Sequence, residues 1–111
     1  MNKEKIEELK KKYPEGIYKG EINFYDEDDK PHNVIFFFRA PTSADIEAFL
    51  STAQKNPIVA NFNIIQSLIV HPEPGPVIES IRNYPVAANK FCEEVVLPFF
   101  GSKVSTQKTK V

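Results

Sequence analysis

The sequence has few of the residues from which metal, redox and nucleotide sites are built. Its 111 residues include one cysteine, two histidines, four glycines and no tryptophan. The lone Cys92 excludes an internal disulfide, and a reducing cytosol is the natural setting for such a chain. The sequence contains no glycine-rich phosphate loop and no cysteine–histidine cluster with metal-ligand spacing. We therefore predict no cofactor and no metal.

A charge imbalance and long apolar runs are also missing. Fourteen basic residues stand against fifteen acidic ones, which gives a formal net charge of −1. That balance gives no general attraction to nucleic acid or to an anionic membrane. No apolar run reaches the length of a membrane span, and residues 1–5 lead into a charged segment that is unlike a secretory signal. We predict a cytoplasmic protein with neither nucleic acid nor membrane as partner.

What the sequence does contain is apolar material for one small core. Hydrophobic residues make up 41% of the chain, and nine of them are phenylalanine. The length fits a single domain. We predict one α+β domain over residues 1–101 and a flexible basic tail over residues 102–111, because that tail has three lysines and no aromatic residue.

The front of the chain predicts a helix and a β-hairpin. Residues 2–13 are mostly charged, with a narrow apolar stripe that needs a docking surface. Residues 17–25 alternate between apolar and polar side chains, as in a half-buried strand. An acidic turn at residues 26–32 leads to a second strand at residues 34–39, which is apolar on both faces.

A break at Pro41 separates this front from a helical back. Thr42 fits the N-cap of a helix, and the carboxylate of Asp45 stands where a capping box requires it. Arg39, at the end of the second strand, is expected on the solvent side in an ion pair with an acid such as Glu21 or Asp45. The junction is thus predicted to stabilise the fold and not to bind a partner.

The back of the chain predicts three or four helices. Asn56–Pro57 fits the N-cap and first position of a helix whose wide apolar face predicts a central place, with Phe62 buried. Residues 71–76 contain three prolines and are predicted to be non-helical. A short helix then follows, and a last one starts at Tyr84–Pro85 and buries Phe91. The predicted architecture is an N-terminal helix and a β-hairpin packed on a bundle of three to four helices.

Two candidate chemical sites have plainer interpretations. The acidic turn lacks the glycine and the final glutamate of an EF-hand loop, so a solvated turn is favoured over a calcium site. Cys92 with His32 or His71 is a conceivable nucleophile and base. However, no local signature surrounds Cys92, and its place on an apolar helix face is typical of a buried structural cysteine. We predict that the protein is not an enzyme.

The remaining candidate is excess apolar surface. Phe99 and Phe100 stand past Pro98, beyond the regular part of the last helix, and Phe37 lies on the second apolar face of its strand. Contiguous apolar patches mark partner sites, and we predict partner binding by Phe37, Val96, Phe99 and Phe100. The plainer alternative, in which these side chains fold back and close the core, is equally open.

Several segments resemble the small tail assembly chaperones of tailed bacteriophages. That group has an aromatic-Arg-x-Pro-Thr/Ser strand ending, here Phe37–Thr42. It has an aliphatic-x-Pro turn after an apolar helix, here Leu68–Pro72. It also has an aromatic-Pro helix start, here Tyr84–Pro85, and an aliphatic-x-x-x-Gly ending, here Leu97–Gly101. The resemblance spans roughly residues 18–101 and leaves the charged first helix unmatched.

The resemblance implies a non-enzymatic assembly factor without catalytic residues. Such a protein would bind the tape measure protein, help tail tube subunits assemble around it in the host cytoplasm, and be absent from the finished virion. The first alternative is a small virion structural component, in the tail or the head–tail connector. The second is a small cytosolic enzyme using Cys92. The sequence leaves a homo-oligomer open.

Overall fold

The computed structural model describes residues 3–100, apart from the side chain of Phe100. The predicted tail at residues 102–111 lies outside the described residues. A π-helical turn (Cys92–Val96) and a 3-10 turn (Leu97–Phe100) extend the last α-helix. The elements in chain order are α1 (Lys3–Lys12), β1 (Ile17–Tyr25), β2 (Pro31–Arg39), α2 (Ser43–Ala53), α3 (Pro57–Leu68), β3 (Ile69–His71), α4 (Pro74–Ile81) and α5 (Pro85–Phe91). The predicted α+β class is confirmed.

The three strands form an antiparallel sheet in the order β1-β2-β3. β1 and β2 pair along their whole length as a hairpin. The turn between them is held by Asp26, whose carboxylate accepts hydrogen bonds from the amides of Asp28 (2.8 Å) and Lys30 (3.0 Å). Asp29 has a φ of 58°, a left-handed conformation that aspartate tolerates better than most residues. The acidic turn is therefore an ordered structural feature.

The helices cover one face of this sheet. That face buries Ile22, Phe36 and Phe38. Gly20 lies opposite Phe36 on β1, and a Cβ atom at residue 20 would come within 2.6 Å of the Phe36 ring. Glycine is needed here because the ring approaches the backbone so closely. The other face carries polar side chains on β1, with the exposed Ile35 and the half-buried Phe37 opposite them on β2.

The core lies between that covered face and the helices α3, α4 and α5. Asn61 is the buried polar side chain of the described core, and it donates a 3.1 Å hydrogen bond to Asn89 that joins α3 to α5. No helix within residues 3–100 is long and apolar enough to cross a membrane. The buried core cluster consists of Ile22, Phe36, Phe38, Ile64, Ile65, Leu68, Ile69, Val77, Ile78, Ile81, Ala88, Phe91, Cys92 and Val96.

The third strand is an element that the sequence pattern does not reveal. Ile69 fits the apolar face of α3, but α3 ends at Leu68 and Ile69 has an extended backbone, with φ −64° and ψ 127°. Ile69 and His71 pair with Phe38 and Phe37 of β2. An aliphatic residue suits a helix or a buried strand equally well. Here Ile69 is in a strand because the edge of β2 is free to pair with it.

Two further expectations about the helical back are wrong in part. Residues 74–76 were predicted to be non-helical, but α4 begins at Pro74. Its prolines occupy the first turn, where the amide groups have no intrahelical partner to lose. Phe62 is only partly buried, because α3 turns Ala60, Ile64 and neighbouring residues to the core instead.

The capping box after β2 is as predicted, and Arg39 makes more contacts at this junction than the sequence indicated. The side chain of Asp45 accepts from the amide of Thr42 (2.8 Å), and the amide of Asp45 donates to the Thr42 hydroxyl (3.3 Å). Arg39 donates to both carboxylate oxygens of Asp45, at 2.7 and 3.2 Å, and to the carbonyl of Ser67 at 3.1 Å. The Arg39 guanidinium lowers the pKa of Asp45 to about 2. Arg39 is partly buried, so it joins β2, α2 and α3 and is more than a surface ion pair.

Candidate partner-binding surface

The structure separates the side chains that the sequence assigned to one partner surface. Phe37 and Phe38 are consecutive on β2 and therefore point to opposite faces of the sheet. Phe99 packs edge-on against Tyr18, with ring centroids 5.1 Å apart, and lies 6.4 Å from the ring of Phe38. Phe37 lies on the other face, 6.4 Å from the ring of His71. Phe37 and Phe99 thus do not form one surface.

The assignment of Val96 to that surface is wrong. Val96 is 0% exposed, because the π-helical turn that follows α5 continues the apolar face of the helix and keeps both Cys92 and Val96 in the core. The side chain of Phe100 lies outside the described part of the chain. Of the four predicted residues, Phe37 and Phe99 remain as partly exposed candidates.

The rings of Tyr18, Phe38 and Phe99 form a unit that we call the Phe99 cluster. Tyr18 stacks on the buried Phe38 at 5.6 Å, and Phe99 covers both rings. Phe99 keeps 40% of its surface exposed. Its packing matches the alternative in which this side chain folds back and closes the core.

A second apolar surface lies where the end of β1 meets the first turns of α5 and α3. It consists of a groove of about 370 Å³ and an adjoining one of about 260 Å³, which share Pro85 and Val86 in their walls. Tyr25 and Tyr84 line the larger part, and Pro57 and Ile58 line the smaller. We call these six residues together the Val86 groove.

The apolar side chains of the Val86 groove are unusually exposed. Val86 is 79% and Tyr25 is 72% exposed, more than any other large apolar residue of the described chain. Ile58 is 51% exposed. None of the three belongs to the buried core cluster. A contiguous apolar surface that the core does not use is typical of an interaction site.

Local sequence explains why these side chains point outward. Pro85 and Pro57 each start a helix, so Val86 and Ile58 fall in a first turn that extends beyond the core. Successive helical residues are about 100° apart, which places Val86 about 200° from the buried Ala88. Val86 therefore departs from the apolar stripe of α5, and this departure is a signal by which the sequence alone could have identified it.

Tyr25 carries a similar signal. On β1 the residues Lys19, Glu21 and Asn23 alternate with the buried positions, and Tyr25 is the next member of that polar series. An aromatic residue at a solvent-facing strand position is an anomaly in the period-2 pattern. Like Val86, Tyr25 is absent from the partner surface predicted from the sequence.

Stacked rings form the floor of the groove beside the turn. The rings of Phe24 and Tyr84 have centroids 4.4 Å apart, and His32 stacks on Phe24 at 5.0 Å with an interplanar angle of 8°. The Nε2 atom of His32 lies 2.8 Å from a carboxylate oxygen of Asp26. That hydrogen bond, with those from the turn amides, lowers the pKa of Asp26. The groove wall is thereby linked to the acidic turn.

The two rims of the groove differ in charge. Partial burial raises the pKa of the Tyr84 hydroxyl, and the nearby carboxylates of Glu27, Asp26 and Asp28 raise it further. Lys90 lies on the opposite rim, where its ammonium group is 4.0 Å from an acidic side chain of the next helical turn. The electrostatic potential is therefore most negative at the turn end.

Comparison with known proteins places this chain in a family. A family model described as a domain of unknown function, DUF6848, matches residues 9–108. The chain belongs to the DUF6848 family. No curated protein matches it. An uncharacterised protein from Bacillus stearothermophilus, RBSTP2171, has a solved structure similar to this DUF6848 domain, with a TM-score of 0.64 and 23% identity. The match covers 93% of this chain and 98% of that one, and it shows a shared fold.

Cys92 of this DUF6848 domain is placed as a structural residue. It is 1% exposed, and its Sγ atom lies 3.8 Å from the carbonyl oxygen of Asn61. Burial raises the pKa of the thiol to about 12, so the thiolate that nucleophilic attack requires is scarce at neutral pH. The Cys92 interpretation as a nucleophile therefore finds no support in this geometry.

The buried polar side chains of residues 3–100 all have hydrogen-bond partners. In the same range, no group of three or more His, Cys, Asp or Glu side chains converges in a way that could hold a metal ion. The Val86 groove contains the two most exposed large apolar side chains of the described residues.

Proposed function

We propose that this protein is a non-enzymatic binding protein that holds an apolar segment of another protein in the Val86 groove. The observation that carries the proposal is the exposure of Val86 and Tyr25, which line the same groove and lie outside the buried core cluster. Covering a side chain of this size contributes roughly 1.5–3 kcal/mol when burial is complete. Two or three such contacts account for a useful affinity.

The groove shape suits an amphipathic helix or a short apolar strand. Its walls are two helical first turns and a strand end, and its two parts share Val86. A helical segment with apolar side chains at i and i+4 presents them about 5–6 Å apart. Such a ligand would place one anchor in each part, which is the helix-in-groove mode of recognition.

The partner that the resemblance implies is a phage tail protein, either the tape measure or the tail tube protein, before assembly in the host cytoplasm. The motifs behind the resemblance lie at element boundaries of the fold, at the end of β2, between α3 and α4, and at the start of α5. The groove adds what such a role requires, which is an apolar surface left open by the chain's own folding. Both features support the proposal.

Co-expression with a phage tail tube protein and a tape measure protein tests this function. The variant Tyr25→Ser/Val86→Ser removes both exposed anchors, and Leu50→Ser is the matched control. Leu50 is 53% exposed on α2, away from the groove. Wild type and Leu50→Ser are expected to retain the partner, and the double variant to lose it. A folded double variant that still retains the partner would overturn the assignment.

A further inference from the structure

We infer that the segment bound in the Val86 groove carries lysine or arginine next to its apolar anchors. This inference rests on the proposed binding function and adds a charge preference to it. Its basis is the acidic turn at one rim of the groove, together with the absence of a comparable positive rim in the described residues.

The acidic turn next to Tyr25 carries carboxylates that no ion pair of the described residues neutralises. Four consecutive acids, Asp26 to Asp29, follow Tyr25 directly, and one lysine follows them. Asp26 is engaged by two amides and by His32. The side chains of Glu27, Asp28 and Asp29 are exposed and form no ion pair within residues 3–100. Three carboxylates thus remain available to a ligand.

These carboxylates are held in place beside the anchor positions. The amide of Asp26 donates to the carbonyl of Lys30 at 3.0 Å, and the amide of Asp29 donates to the carbonyl of Asp26 at 2.9 Å. His32 couples the turn to the ring stack under the groove. A turn with a fixed backbone favours a cationic partner, because its negative charges stay next to Tyr25 and the ring stack.

The same charges argue against a second copy of this chain as the occupant. A two-fold symmetric contact places the same surface against itself. Among the residues that line the groove, a second copy would offer one cation, Lys90, whose ammonium group already lies 4.0 Å from a carboxylate oxygen of Glu94. The observations therefore favour a different protein, with a basic residue beside its apolar side chains.

Peptide selection provides the direct test. A library of short random peptides is selected on the wild-type full chain, with counter-selection on Val86→Ser. The recovered peptides are expected to depend on Val86 and to be enriched in lysine and arginine within one helical turn of an apolar anchor. Peptides that depend on Val86 without such enrichment overturn the charge preference and leave the proposed function standing. Failure to recover any peptide that depends on Val86 overturns both.

Charge variants measure the size of the effect on a selected peptide. Glu27→Gln/Asp28→Asn is expected to weaken binding about two- to thirtyfold at low salt, as for two exposed ion pairs, and high salt should reduce the difference. Glu47→Gln/Glu73→Gln, which neutralises two exposed acids elsewhere, is the control and should leave the affinity unchanged. Equal affinities for both double variants overturn the inference.

Two further measurements identify competing occupants. Replacing Lys103, Lys108 and Lys110 by glutamine in the full chain should leave peptide affinity unchanged. A gain of about tenfold or more would show that the chain's own basic tail competes for the groove, and would overturn the assignment to a partner.

Sedimentation that finds a dimeric wild type and a monomeric Val86→Ser would place a second copy in the groove and would equally overturn the assignment to a partner.

Discussion

The Phe99 cluster and the Val86 groove both expose large apolar side chains, but the chain uses them differently. Phe99 is 40% exposed, yet it covers the rings of Tyr18 and Phe38. Val86 is 79% exposed and lies about 200° around α5 from the buried Ala88. An exposed apolar side chain therefore points to a partner only where the chain's own packing leaves it unused. By that criterion the groove is the better candidate.

Both regions rest on the same scaffold. The rings of Phe36, Phe38 and Phe91 pack together between the sheet and α5, with centroids 5.2 to 6.2 Å apart. The Phe99 cluster includes one of these rings, and α5 carries the groove at its other end. Damage to the scaffold should affect both regions, whereas damage to one region should leave the other intact.

The largest expected effect comes from the shared scaffold. Phe91→Ala should lower the free energy of unfolding by about 3–5 kcal/mol, because it removes a 5% exposed ring from the core. Phe62→Ala should cost clearly less, since Phe62 is only partly buried. Urea denaturation of both variants measures the difference. Equal losses would mean that α3, and not the sheet–α5 layer, is the centre of the fold.

The next effect belongs to the Phe99 cluster. Phe99→Ala should lower the free energy of unfolding by about 1–2 kcal/mol, because it deletes an edge-on ring contact and uncovers Tyr18 and Phe38. Phe99→Leu is the milder control and should lose less. Thermal and urea unfolding report the loss. A stability indistinguishable from wild type would mean that the Phe99 ring does not help to cover the core. Phe99 would then again be a candidate partner-binding residue.

The junction lies in neither region and should change stability alone. Asp45→Asn should cost about 1–2 kcal/mol through the weakened cap and the lost charge pair with Arg39. The pKa of Asp45 is lowered in the folded state from 3.8 to about 2. Its stabilisation is therefore present above about pH 4 and lost as the pH falls toward 2.

Unfolding measured from pH 5 to pH 2 checks this assignment. The wild type should lose stability more steeply than Asp45→Asn over that interval, since the variant has no Asp45 carboxylate to protonate. Parallel slopes for the two proteins would show that Asp45 does not carry the linkage. Altered partner binding by a folded Asp45→Asn would contradict the purely structural role of the junction.

The smallest stability effect is expected in the groove. Val86→Ser should change the free energy of unfolding by no more than about 0.5 kcal/mol, as for a surface substitution away from structural contacts. Its side chain is 79% exposed and outside the core. A loss above about 1 kcal/mol would show that the chain itself uses Val86, and the contrast with Phe99 would disappear.

Local features of this fold could be predicted from the sequence. The capping box of Thr42 and Asp45, the hairpin, and the helix starts at Pro57 and Pro85 depend on neighbouring residues alone. The strand at Ile69 could not, because an aliphatic residue fits helix and strand alike, and only the distant edge of β2 selects the strand.

The candidate site was less accessible to sequence reasoning. Phe99 stands outside the helix pattern and was therefore predicted to bind a partner. Its contact with Tyr18 could not be predicted, because Tyr18 is about eighty residues away along the chain and comes close only in the fold. Val96 looked peripheral because a π-helical turn is not visible in a 3.6-residue pattern. Val86 and Tyr25 did carry local signals, since each departs from the periodicity of its own element.

One paired measurement tests the central claim most directly. Val86→Ser and Phe99→Ser are compared side by side for unfolding free energy and for retention of the co-expressed tail protein or of a selected peptide. The account predicts that Val86→Ser keeps its stability and loses binding, and that Phe99→Ser loses stability and, where still folded, keeps binding. The opposite pattern, with binding lost in a stable Phe99→Ser and kept in Val86→Ser, would contradict it.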